Sequence, residues 1–294
     1  MRRQAAELLA LVETTRGQWP SIADAVAAAG TSQLVATRQQ TVESAERWLA
    51  LFDRLAVDDP ELGVVTVLDE GYPANLARAF NRPPFLFVRG QLAERDERSV
   101  AVVGTRRPSE GARRATRDLA AALAEAGVTV VSGFARGLDT EAHTAALAAG
   151  GRTIAVLGSG IWRLYPPENA ELAARAARSG ALVSQFWPDA SPSRASFPQR
   201  NIVTSGIALA TVVVEAPATS GARMQARLAR EQGRPVFLVE SLVRSETWAS
   251  ALVEKGWATV IDGVADLPPA LDRLFDEQRP GSGGPAMPRQ LRLL

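Results

Sequence analysis

Two short turns combine glycine with arginine directly after apolar runs. Gly104-Thr105-Arg106 follows Val100–Val103, and Gly133-Phe134-Ala135-Arg136-Gly137 follows Val128–Val131. Glycine lets backbone N–H groups approach an anion, and an arginine beside them completes a phosphate cradle. A single turn of this kind is also what a tight strand-to-helix connection needs for geometry alone. Two in succession, the second preceded by Ser132, point to a ligand that carries phosphate. A further glycine pair, Gly158 and Gly160, follows Thr153–Leu157, but Arg163 stands where a dinucleotide fingerprint would place its last glycine. No Walker A sequence occurs. Nicotinamide, flavin and P-loop chemistry are therefore disfavoured, and no cofactor is expected.

Asp139-Thr140-Glu141-Ala142-His143 opens the helix after the second turn, with Asp139 placed to cap it. His143 is the only histidine and falls on the same side one turn later. No nucleophile motif accompanies it, so it reads as a structural residue tying its helix to a neighbouring loop. With no cysteine in the chain, thiolate catalysis and cysteine metal sites are excluded, and a reducing, cytoplasmic setting is expected. No catalytic residue and no metal site are assigned.

The connection Gln185–Arg200 interleaves Phe186, Trp187 and Phe197 with Pro and Ser, and Arg194 and Arg200 flank the last aromatic. Arginines on phosphates and aromatics under bases are how single strands are held. Arg194 and Phe197, three apart, are spaced to meet one nucleotide; the plainer alternative is that the aromatics pin the loop. Pro198-Gln199-Arg200-Asn201 then starts a helix. Farther on, a strand ends in Glu215, and Ser220-Gly221 enters the next helix. Ser220 can cap that helix or donate to a phosphate. Glu215 can orient a ribose, act in acid–base chemistry, or pair with an arginine of the same rim.

The elements that position these residues alternate regularly. Strand-like runs at Val100–Val103, Val128–Val131, Thr153–Leu157, Leu182–Ser184, Thr211–Val214, Val236–Val239 and Thr259–Ile261 are separated by Ala/Leu-rich helical patterns. This rhythm predicts an α/β fold, a mostly parallel sheet with helices on both faces. Upstream, Val64–Leu68, Pro73–Ala79 and Phe85–Val88 read as a β-α-β unit that can extend the sheet. Helices are predicted over Ala5–Thr14, Ile22–Ala29, Ser32–Arg38 and Thr41–Leu55. The expected organisation is a small helical N-terminal module (SAM/HhH-like) over 1–60, a core over 61–272 and a disordered tail over 273–294.

The chain has 294 residues and a formal net charge of +1. Residues 1–98 carry 11 Lys+Arg against 14 Asp+Glu, and residues 99–263 carry 18 against 14, so the positive excess sits with the glycine turns. That balance permits nucleic-acid binding without demanding it. No apolar run is long enough to span a membrane, and the basic start is interrupted by Glu7 and Glu13, so neither a membrane partner nor a signal peptide is expected.

VVGTRRPSEG, VVSGFARGLDTEAH, TIAVLGSGIWRLYPPEN, FPQRN and VVVEAPATSGA occur in the order and spacing of the DprA/Smf family, which the chain resembles over roughly residues 63–263. The resemblance implies an extended Rossmann-like fold and a homodimer. It also implies sequence-independent binding of single-stranded DNA, onto which a RecA-type recombinase is loaded in natural transformation and recombination, with no catalysis. Arg106 matches a phosphate-binding arginine. Gly133, Gly137 and Asp139 match SGxAxGxD, and Gly158 and Gly160 match LGxG. Phe197, Arg200 and Asn201 match FPxRN, and Ser220 and Gly221 match the SG turn. The pattern is broken at Ile202, where a second arginine is usual, at Gln225, at Glu240–Arg244 and at Trp257, and no counterpart of the family's common C-terminal winged-helix domain is expected. Two other functions fit the same residues: a nucleotide sensor on the same fold, and a nucleoside-monophosphate phosphoribohydrolase. The latter is weakened because Ala218-Thr219-Ser220-Gly221 is not a PGGxGT loop.

Overall fold

The computed structural model describes residues 2–15, 19–31, 39–263, 266, 267, 271, 274 and 275. Its centre is a nine-stranded sheet. In chain order the strands are β1 (Leu62–Thr66), β2 (Phe85–Gly90), β3 (Ser99–Val103), β4 (Thr129–Ser132), β5 (Thr153–Val156), β6 (Ala181–Ser184), β7 (Ala210–Val213), β8 (Val236–Val239) and β9 (Thr259–Ile261). They lie side by side as β1-β2-β6-β5-β4-β3-β7-β8-β9. From β6 to β9 all pairings are parallel. These strands read as short continuous apolar runs because both faces are covered; every residue of β3, β4, β5, β6 and β7 is buried.

The helices are α1 (Arg2–Thr14), α2 (Trp19–Ala29), α3 (Gln39–Asp58), α4 (Ala74–Ala77), α5 (Glu110–Glu125), α6 (Leu138–Ala148), α7 (Ala170–Ser179), α8 (Ser196–Ile207), α9 (Gly221–Glu231), α10 (Glu240–Ser245) and α11 (Thr247–Glu254). One face of the sheet packs through Ala101, Val131 and Leu238 onto Val203, Ile207 and Ala226 of α8 and α9. The other packs through Val100, Val102 and Val212 onto Leu119, Leu123 and Ala142 of α5 and α6. The expected α/β architecture, Rossmann-like with helices on both faces, is the one observed.

Three local expectations differ. The unit before the main sheet is not a parallel β-α-β: β1 pairs with β2, and β2 with β6, both antiparallel. The short α4 packs its buried Leu76 beside Gly206 of α8 instead of crossing the sheet, so the chain returns in the opposite direction. The N-terminal helices share a core with the sheet. Leu8, Leu9, Val12 and Val26 join Phe85, Phe87, Phe134 and Leu157 in one apolar cluster. Finally, within the stretch expected to be disordered, Phe275 is buried and Arg98 sits 4.2 Å over its ring. The helix expected at Ser32–Arg38 and the tail from 276 lie outside the described residues.

Candidate nucleic-acid interface

Strands β3, β4, β5 and β6 step outward in one direction, and β7 returns to the other side of β3. In such a sheet the ligand crevice lies outside the carboxyl ends of the strands where the order reverses. A cavity of about 440 Å³ occupies that place. It is lined by the turn after β3 (Gly104–Arg107), by Gly133 after β4, by Asp139 of α6, by Phe197, Arg200 and Asn201 of α8, and by Ser220, Gly221 and Gln225 around the start of α9. The backbone bond Thr105 N–H to the Glu215 carbonyl, 2.7 Å, ties the loops after β3 and β7 together.

The second glycine turn is shaped by close approach. Gly137 has φ +84°, and a Cβ there would overlap the Thr105 carbonyl. At Gly133 a Cβ would overlap the Arg200 guanidinium, so this glycine makes room for that arginine. Between them Phe134 takes φ 59°, rare outside glycine, with its side chain fully buried beside the His143 ring at 5.6 Å.

Arg200 is the most deeply enclosed cation of the cavity. Only 6% exposed, it donates from Nε to Asn201 Oδ1 at 3.1 Å and from Nη1 to the Val156 carbonyl at 3.2 Å. Among the described residues no carboxylate oxygen forms an ion pair with it. Burial pushes its pKa below the ordinary arginine value, and the nearby Asp139 carboxylate pulls it back up. Asp139 shows the converse: burial raises its carboxyl above the ordinary value, and Arg200 opposes the rise. A buried cation whose one nearby anion makes no direct ion pair favours an incoming anion. The N-terminus of α9 adds to this, since its dipole and free N–H groups favour negative charge. There Ser220 is the cap, its Oγ accepting from Ala222 N–H at 3.2 Å.

Arg106 lies exposed at the rim, its guanidinium carbon 4.9 Å above the Phe197 ring. The cation set against Phe197 is thus Arg106, not Arg194. Arg194 is exposed, sits ahead of α8 and does not line the cavity. The loop's other aromatics pin it, as the plainer alternative held. Phe186 is buried, and Trp187 lies 5.1 Å from Trp48 and 5.2 Å from Phe85.

Other assigned residues brace the site, and of these only Asp139 also lines the cavity. Ser132 donates to the Val102 carbonyl at 2.6 Å, joining β4 to β3. Gly158 backs the Phe197 ring, and Gly160 packs on the Trp187–Pro188 backbone. Arg136 is held by Glu168, with Nη2 to Oε2 at 3.1 Å. Glu215 does not line the cavity and, among the described residues, forms no ion pair with arginine; it accepts from the Ser109 backbone N–H at 3.1 Å and from its hydroxyl, bracing the start of α5. Asp139 does not cap α6, whose cap position is Gly137; its Oδ2 accepts from Ala135 N–H at 3.2 Å and fixes the turn. His143 is structural but binds a strand residue, Thr153, Nδ1 to Oγ1 at 2.7 Å, rather than a loop.

Sequence reasoning missed Arg107, Thr219 and Gln225 as cavity residues. Arg107 was legible as the neighbour of Arg106. Gln225, seen in the sequence only as a break in the pattern, donates to the Asn201 carbonyl at 3.1 Å and closes the cavity floor.

The family model for DNA recombination-mediator protein A matches residues 63–272. The chain belongs to this family. Protein Smf of Escherichia coli is 40% identical to it over 200 residues, covering 68% of this chain and 51% of that protein. DNA processing protein DprA of Streptococcus pneumoniae is 34% identical over 195 residues, covering 66% and 69%. The chain spans about half the length of the Smf relatives it matches. The X-ray structure of DprA from S. pneumoniae superposes with a TM-score of 0.66 at 28% identity, covering 91% of this chain and 92% of that one. DNA processing protein A from Helicobacter pylori, described for its single-stranded DNA binding mode, gives 0.64 at 27% identity and covers 74% and 97%. Within this DprA family member, no described helix is long and apolar enough to cross a membrane.

Proposed function

We propose that this chain binds single-stranded DNA without sequence preference along the carboxyl edge of its sheet. We further propose that, as a cytoplasmic homodimer, it hands the strand to a RecA-type recombinase and performs no catalysis itself. The observation that carries the binding reading is Arg200, a buried guanidinium without an ion-pair partner at the floor of a cavity flanked by a helix N-terminus and by Arg106 over Phe197. A backbone phosphate supplies the missing anion. Arg106, released from the ring, takes a neighbouring phosphate and leaves Phe197 for a base. None of these groups reads a base edge, so binding is insensitive to sequence. The hand-over and the dimer rest on family membership.

The cavity volume also suits a single mononucleotide, which keeps the sensor reading in view. The phosphoribohydrolase reading loses its carboxylate, because Glu215 is bound to Ser109 and does not line the cavity. Fluorescence anisotropy with oligo-dT over a range of salt tests the proposal. Micromolar or tighter, salt-sensitive binding is expected. Arg106→Ala should weaken it equally for all oligonucleotide sequences and flatten the log–log salt slope by about 0.7. Absence of salt-sensitive binding, with thermal stabilisation by one mononucleotide, would replace this reading with the sensor.

A further inference from the structure

We infer that Tyr165 is a second base-stacking platform beside Phe197, kept covered in the free protein by a clasp between Arg136 and Glu168. The inference rests on the single-strand reading above and concerns residues outside the cavity.

Tyr165 is 36% exposed, so part of its ring already meets solvent. Its ring centroid lies 6.1 Å from that of Phe197, with the planes tilted by 54°. The two rings therefore form adjoining steps, and neighbouring bases of one strand would meet them in turn, with a bend between. Each ring carries its own guanidinium. Arg106 sits over Phe197 at 4.9 Å, and Arg136 over Tyr165 at 5.6 Å. Base faces and guanidinium planes compete for the same aromatic surface. In both cases the arginine is parked on the surface a base would use, and it is also the group a phosphate would attract.

The two steps differ in how firmly the arginine is held. Among the described residues Arg106 has no ion-pair partner. Arg136 donates through Nε and Nη2 to the two carboxylate oxygens of Glu168 and through Nη1 to the Tyr165 hydroxyl at 3.4 Å. The pair raises the pKa of Arg136 and lowers that of Glu168. It is about half exposed, so solvent and a competing phosphate can reach it. A strand entering at Phe197 brings its next phosphate to Arg136, which exchanges Glu168 for it and uncovers Tyr165. Occupation of the first step thus precedes occupation of the second.

The test uses the full chain and two oligomers of equal length, oligo-dT and an abasic deoxyribose-phosphate strand, with circular dichroism confirming that each variant is folded. Tyr165→Leu keeps an apolar side chain but removes the aromatic face. It should weaken oligo-dT binding about 5- to 100-fold and leave abasic binding unchanged. Tyr165→Phe, which retains the face, should bind oligo-dT as the unaltered protein does. Glu168→Gln, which frees Arg136, should tighten binding of both oligomers and steepen the salt slope by about 0.7. Unchanged oligo-dT binding by Tyr165→Leu, or equal losses on both oligomers, would overturn the platform while the effect of Arg106→Ala keeps the first site standing. If the unaltered protein binds neither oligomer, the single-strand reading falls and takes the platform with it.

Discussion

At the amino edge of the sheet, Arg152 meets Asp96 in a two-pronged pair, Nε to Oδ1 at 2.6 Å and Nη2 to Oδ2 at 2.8 Å. Asp96 also accepts from Thr129 Oγ1 at 2.9 Å and from Ala93 N–H at 2.8 Å, so its carboxylate is fully engaged and almost wholly enclosed. At the carboxyl edge, Arg200 is more deeply buried than Arg152 but has only an amide oxygen and a carbonyl as acceptors. One buried arginine is closed by the fold, and the other is left open to a cavity. The difference separates structure from function: a satisfied charge holds strands in place, whereas an under-satisfied one stores affinity for an anion.

Breaking the closed side should have the largest effect. Asp96→Ala leaves the largely enclosed Arg152 without its counter-charge and should lower unfolding free energy by about 3 kcal/mol, the lower end for a broken buried pair. A urea unfolding midpoint within error of the unaltered protein would show that the amino-edge pair is not structural. Breaking the open side should do the reverse. Arg200→Met should reduce oligo-dT affinity at least about tenfold, the scale of one charge-assisted hydrogen bond. Its urea midpoint should move less than that of Asp96→Ala, because no paired partner is stranded. If stability collapses while binding by the folded fraction persists, the two edges are not different in kind.

The smallest effect sharpens the same contrast through His143, which is buried next to the open edge. Thr153 Oγ1 donates to the Val130 carbonyl, so the hydrogen between Thr153 and His143 belongs to Nδ1, and Nε2 is left bare and unpartnered. Burial, helped by the charge of Arg200, pushes the imidazole pKa down to about 3. The unfolded chain takes up a proton near pH 6.5, which the folded protein refuses until about pH 3. Stability therefore falls as pH drops through that window, by about 1 kcal/mol per unit from this group. Urea titrations between pH 6 and 4 should show a shallower decline for His143→Gln. Asp139, whose raised pKa acts in the opposite sense, is common to both proteins. Parallel pH profiles would remove His143 from the account.

Much of this fold was legible because its strands are continuous Val-rich runs and its connections carry glycine, serine and proline where backbone geometry requires them. The seven parallel strands were found within about a residue of their observed ends for that reason. The antiparallel return of β1 and β2 was not legible, since α4 is too short and too irregular to show which face it packs on. In the site, Gly104, Gly133, Phe197, Arg200 and Ser220 could be named from motif and spacing. The partners of those residues could not. Along the chain Arg194 is the near neighbour of Phe197, and only the fold brings Arg106, distant in sequence, over the ring instead.

The sequence alone determined the periodicity, hence the parallel sheet, and the glycine-bearing turns at its carboxyl edge, because these follow from local sterics and from which residues tolerate burial on both faces. The tertiary structure decided which charges meet. It paired Arg136 with Glu168, bound Glu215 to Ser109, and buried Arg200 behind Gly133 with no ion-pair partner among the described residues. Those outcomes depend on distances between segments far apart in the chain, and electrostatic energy is set by such distances and by the surrounding dielectric rather than by residue type. The two glycine–arginine turns look alike in the sequence, yet folding sets Arg106 over Phe197 with no ion-pair partner among the described residues and holds Arg136 in a clasp with Glu168.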